Sequence, residues 1–189
     1  MKVQLFKYWE ALRTSFWFIP ALMVFGAVVL SVAAIQADHL AMSKGWLAWD
    51  WVFTGGPDGA SAVLSIIAGS MTTIAGVVFS MTLVVLSLAS SQLGPRLLRS
   101  FMRDPPTQVV LGTFVATFLY CVLVVLTIRR GDEDAFVPQM SVTLGVLLAV
   151  ISMGVLIYFI HHVAISIQAN QVVARVGHEL IDVLESLFP

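Results

Sequence analysis

The sequence predicts an all-α integral membrane protein with four transmembrane helices and a C-terminal helix that extends into the cytoplasm. Three observations lead there. Of the 189 residues 59% are hydrophobic and 11% charged, with a mean hydropathy of +0.94, whereas charged residues are ~25% of a soluble domain. The stretch from Gly59 to Pro95 has no formal charge, with Asp58 just before it and Arg96 just after. As a continuous helix it would reach ~55 Å, against a hydrocarbon core of ~30 Å. The third observation is the placement of Lys and Arg along the chain, counted below.

The first span runs from Phe16 to Gln36 behind Lys2, Lys7 and Arg13. Its apolar part exceeds the 7–15 residues usual for a signal-peptide core, so a retained helix is the preferred reading over a cleaved leader. Pro20 sits near its start, where a missing N–H costs least. Ala37 to Asp58 is expected to be a polar connection, with Trp46, Trp49 and Trp51 as an interfacial aromatic belt and a turn at Gly55 to Gly59.

The second span is the uncharged stretch itself, closed by Gly94-Pro95. Stepping ~100° per residue, Ser61, Ser65, Gly69, Thr72, Thr73, Gly76, Ser80, Ser87, Ser90 and Ser91 fall within an arc of roughly 120°, and only Ser70 and Thr82 lie well off it. Leu83 interrupts this stripe between Ser80 and Ser87. Two readings stay open. Gly and Ser let neighbouring helices approach closely; alternatively, copies of this helix surround a water-filled path, with Leu83 as an apolar constriction.

Arg96, Arg99 and Arg103 follow, spaced to share one side of a short helix. They suit a cytoplasmic loop, anionic lipid head groups or a charged vestibule. Asp104 to Thr107 reads as a turn and cap for a third span, Val109 to Ile128, on which Thr113, Ala116, Thr117, Tyr120 and Cys121 share a face. Arg129 to Asp134 forms the next loop. Pro138 precedes the fourth span, Met140 to Ile160, where Gly145, Ala149 and Ser152 make a small-residue seam. His161-His162 is read as an interfacial polar pair, because neighbours ~100° apart cannot share one metal. From Ile165 to Phe188 the pattern is amphipathic.

With the amino terminus inside, Lys2, Lys7, Arg13, Arg96, Arg99, Arg103 and Arg175 lie on the cytoplasmic side, and only Lys44, Arg129 and Arg130 lie outside. That bias predicts four spans with both termini cytoplasmic. The expected organisation is a cytoplasmic start at 1–15, a transmembrane domain at 16–163 and a cytoplasmic helix at 164–189.

Several motifs together, Asp58-Gly59-Ala60, Ala75 to Ser80, Ser90 to Leu98, Phe136-Val137-Pro138, Ile160-His161-His162 and Ser166-Ile167-Gln168, resemble a bacterial membrane family known as domain of unknown function 2254. The resemblance implies a multi-pass protein of the bacterial inner membrane. Family members resemble one another in continuing into a sizeable cytoplasmic portion, so this chain is expected to be the membrane half of a longer protein or a truncated reading frame. The resemblance brings no activity with it.

The residues themselves argue against catalysis. The spans as drawn hold no Asp, Glu, Lys or Arg, which disfavours proton-coupled transport. No base stands beside the many hydroxyls to activate a nucleophile. A net charge of -1 gives no reason to expect nucleic acid, and the lone Cys121 offers no metal cluster. The expectation is a protein without enzymatic activity, cofactor or metal, whose partners are membrane lipid, further copies of itself and a small ion. Its role is either a homo-oligomeric channel lined by Ser65, Gly69, Thr72, Thr73, Gly76, Ser80, Leu83 and Ser87, or a membrane anchor or sensor that positions a cytoplasmic partner.

Overall fold

The computed structural model describes residues 18–44, 55–93, 105–129 and 136–187. Four helices account for nearly all of them: α1 Phe18–Lys44, α2 Pro57–Leu93, α3 Pro105–Val125 and α4 Gln139–Leu187. Each is long and apolar enough to cross a membrane. Among the described residues there is no strand, only an antiparallel bridge between Arg129 and Phe136.

The helix ends have local causes. α2 opens with Pro57 in its first turn, where the absent N–H is no loss, and Ala60 N–H closes that turn on the Gly56 carbonyl at 3.0 Å. Asp58 sits in the same turn, its charge favourable to the helix dipole. α3 likewise begins on Pro105-Pro106. At its far end the chain tightens: Thr127 N–H reaches the Val124 carbonyl and Ile128 N–H the Val125 carbonyl. The Thr127 hydroxyl also donates to Val124 O at 2.7 Å, so with Leu126 N–H on Val122 O three of the last four carbonyls of the helix are satisfied within the chain.

Two boundaries differ from the sequence expectation. α1 does not stop at Gln36; it continues through Asp38 to Lys44, and its apolar span runs Phe18–Met42. The expected connection from Ala37 to Asp58 therefore loses both ends to helices. Consequently the expectation of spans free of acidic residues fails, because Asp38 lies inside the first span and Asp58 at the head of the second, Pro57–Val84. The tryptophan cluster at 46–51 and the charged loop at 130–134 lie outside the described residues.

α3 is the central helix. Half of its span is buried, against 17–22% of the other three, and α1 and α2 both pack on α3 and on α4. Close approach is made possible by two glycines. A Cβ at Gly112 would lie 2.6 Å from Met23 Sδ and 3.2 Å from Pro20 Cα, and one at Gly145 would lie 2.7 Å from Leu64 Cδ2. The core runs along α3 in two parts. Ala60, Leu64, Ala68, Tyr120, Cys121, Val124 and Val142 fill one end; Met71, Val78, Val110, Phe114, Phe159 and Val163 fill the other. Apolar side chains such as Leu22, Phe25, Val32, Val150 and Ile157 stand on the outside, as expected where lipid is the solvent.

Candidate functional site

The hydroxyl and glycine stripe of α2 faces away from this bundle. The helix packs inward through Ala60, Ser61, Leu64, Ala68, Met71 and Val78, all buried. Ser65, Gly69, Thr72, Thr73, Gly76, Ser80, Leu83 and Ser87 are all exposed. Of the stripe members whose side chains are described, Ser61 alone turns inward. Among the described residues nothing lies within 4 Å of a Cβ built on Gly69 or Gly76, so these glycines serve no contact there, unlike Gly112 and Gly145. Thr72 and Thr73 donate their hydroxyl protons to the carbonyls of Ala68 and Gly69, each at 3.1 Å. Their oxygens remain on the outer face as acceptors.

The seams expected on the third and fourth spans face each other. Thr117 and Ser152, both buried, hydrogen-bond across α3 and α4 at 3.0 Å, and Gly145 sits within reach of Tyr120 and Cys121. Small side chains and hydroxyls thus bring these two helices together as membrane seams do. Their polar groups are consumed by packing.

At the same end as Tyr120, a polar knot joins three helices. Asp38, 2% exposed, accepts from Met140 N–H at 2.9 Å, from Ser141 N–H at 2.9 Å and from the Ser141 hydroxyl at 2.6 Å. Tyr120 donates its hydroxyl to the Ser141 carbonyl at 2.9 Å. The first intrahelical bond of α4 runs from Val142 N–H to Pro138 O, which puts Pro138 at the cap position with no side chain able to accept. Asp38 supplies that oxygen from another helix, binding the second and third helical N–H groups as a local cap would. Beside it His39 stacks on Phe136, with ring centroids 4.3 Å apart and planes 6° apart.

Sequence reasoning missed this knot. The sequence expectation places Asp38 within the polar connection from Ala37 to Asp58. The available signal was Pro138 itself, a helix start with no Ser, Thr, Asp or Asn to cap it.

The remaining expected residues do not converge. His161 is exposed and His162 half-buried, the latter stacked on Tyr158 at 6.1 Å. Arg96, Arg99 and Arg103 lie outside the described residues. Among the described residues no three His, Cys, Asp or Glu side chains gather as a metal site. An apolar groove of about 520 Å³ opens between the start of α3 and the middle of α4, lined by Pro106, Val109, Ile151, Gly154 and Tyr158 among others.

The chain matches the family described as "Predicted membrane protein (DUF2254)" over residues 13–187. It is 35% identical, over 181 residues, to an uncharacterized protein of Mycobacterium bovis and to uncharacterized proteins of two Mycobacterium tuberculosis strains. Each alignment covers 95% of this chain and 34% of the relative, so the chain spans about a third of the length of the curated relatives it matches. No solved structure matches it. With a family match over nearly the whole chain and four apolar helices to satisfy it, the protein belongs to the DUF2254 family of predicted membrane proteins.

Proposed function

We propose that the chain is the membrane domain of a homo-oligomeric channel in the bacterial inner membrane, with a path lined by α2 of several copies. The observation that carries this reading is the outward exposure of Ser65, Gly69, Thr72, Thr73, Gly76, Ser80 and Ser87 on a helix whose opposite face already makes the core. Hydroxyls and bare glycine backbone are poor company for lipid tails. A second copy or water satisfies them better. Thr72 and Thr73, whose donors are spent on their own helix, present oxygen acceptors on this face, and acceptors suit a small cation over an anion. Leu83, exposed within the stripe, is the constriction that closes the path by dewetting.

Both termini are assigned to the cytoplasm on the Lys and Arg bias, and Arg96, Arg99 and Arg103 to the inner membrane edge beside anionic lipid. No enzymatic step belongs to this proposal. Leu83→Ser protein reconstituted in liposomes should pass cations faster than the unmodified chain. Well-assembled Leu83→Ser protein with no flux above empty liposomes would overturn the channel.

One observation favours the anchor reading as the alternative. α4 continues as a single helix of 49 residues to Leu187, some 22 residues past the apolar span that ends at Ile165. A rigid rod leaving the membrane could position a cytoplasmic partner, and flux-free but self-associating protein would select it.

A further inference from the structure

We infer that the groove between the start of α3 and the middle of α4 is a binding site for one membrane phospholipid. An acyl chain lies along the groove, and an ester carbonyl of the same lipid accepts a hydrogen bond from Tyr158. The inference goes beyond the channel reading and does not depend on it.

The groove follows from the spacing of its walls. Ile151, Gly154, Val155 and Tyr158 stand at i, i+3, i+4 and i+7 on α4 and so share one face, opposite Val109 and Val110 on α3. Gly154 gives it depth. That glycine is exposed, and among the described residues nothing lies within 4 Å of a Cβ built on it. Gly112 and Gly145, by contrast, are covered by Met23 and Leu64. The side chain missing at Gly154 therefore makes room for something other than a described helix of this chain.

Position and size decide the occupant. The walls lie within the apolar spans Pro106–Val125 and Gln139–Ile165, so the medium at the mouth of the groove is hydrocarbon. Water has little to hold it there, because an ordered water needs two to four polar partners and the walls between Val109 and Val155 are aliphatic. A second copy is poorly matched too. Stable protein interfaces engage ~20–30 residues a side, whereas seven residues line this groove, over ~10 Å of α4. A flexible acyl chain fills such a volume, about 520 Å³, without a matching protein surface.

Tyr158 supplies the polar end. It is 56% exposed, its ring stacks on His162, and among the described residues its hydroxyl has no hydrogen-bond partner. A hydroxyl left unpaired against hydrocarbon is costly, and tyrosines with an apolar ring and a polar tip settle where a membrane turns polar. His161 and His162 stand about one turn, ~5 Å, nearer the end of the span. Tyr158 thus lies just below the polar surface, at the depth of the lipid esters, and its O–H donates to a carbonyl oxygen there.

Stepwise lipid binding to the full chain, delipidated in detergent and read by native mass spectrometry, tests the site. The probe is a phosphatidylethanolamine with two ester-linked oleoyl chains, a zwitterion that keeps attraction between arginines and anionic lipid out of the measurement. Its ether-linked analogue, which has no carbonyl, is the second probe. Gly154→Leu fills the groove and should weaken the first binding step roughly fivefold or more. Gly26→Leu, at an exposed glycine of α1 with equally open surroundings, should bind as the unmodified chain does. Tyr158→Phe should weaken the first step roughly two- to tenfold with the ester lipid and leave binding of the ether lipid unchanged. Undiminished first-step binding by Gly154→Leu overturns the site, and a loss of self-association in its place would give the groove to a second copy. Should Gly154→Leu fail to assemble, Tyr158→Phe decides: no loss, or the same loss with both lipids, rejects the proposal.

Discussion

Asp38 and Ser141 are separated by 103 residues and joined by two hydrogen bonds, one from the Ser141 N–H at 2.9 Å and one from its hydroxyl at 2.6 Å. Through them the last turns of α1 cap the first turn of α4. Asp38→Ala should cost about 2 kcal/mol, because it leaves the buried Ser141 N–H and the part-buried Met140 N–H without an acceptor, at ~1–3 kcal/mol for a fully buried donor. Ser141→Ala should cost less, since both N–H bonds to Asp38 remain. Unfolding of the two variants in mixed detergent orders them.

The glycines divide by what surrounds them. Gly145→Ala places a methyl 2.7 Å from Leu64 Cδ2, on a leucine that is itself fully buried, and overpacking of this kind costs ~1–3 kcal/mol. Gly69→Ala meets nothing among the described residues and should leave the monomer as stable or better by up to ~1 kcal/mol through helix propensity. If copies meet through α2, the same change should weaken their association. Measured on both variants, stability should fall in Gly145→Ala and dimer fraction in Gly69→Ala.

Thr117 and Ser152 offer a test of how α3 and α4 are joined. A double-mutant cycle with Thr117→Val and Ser152→Ala should give a coupling energy near 0.6 kcal/mol, the average for such bonds in membranes. Zero coupling would mean that shape alone holds this crossing.

Much of this architecture was legible in the sequence, and the reason is physical. A bilayer forces long apolar helices, so hydropathy alone places four of them, and small-residue seams on the third and fourth spans could be read from spacing. The knot at Asp38 was not legible in the same way. A single carboxylate in an apolar run looks like the end of a span, and its partner lies 102 residues away in Met140. Nor could spacing say whether the Gly69 to Ser80 stripe faces inward or outward. That depends on which face of α2 meets α3, decided by Leu64, Ala68 and Met71 packing into the core.

Orientation is tested separately. Reporters fused after Phe101 and after Gly131 should report the cytoplasm and the periplasm respectively, as the Lys and Arg bias requires. The reverse pair of results would invert the membrane placement of every helix.

The claim that copies of α2 enclose a water path is tested most directly by thiol reactivity in reconstituted protein lacking the native cysteine through Cys121→Ala. Three single cysteines separate the possible environments: Ser80→Cys on the stripe, Met81→Cys on the exposed face away from it, and Val78→Cys in the core. A small water-soluble thiol reagent should modify Ser80→Cys rapidly and leave Met81→Cys, in lipid, and Val78→Cys, in the core, untouched. Ser80→Cys as unreactive as Met81→Cys would contradict the path.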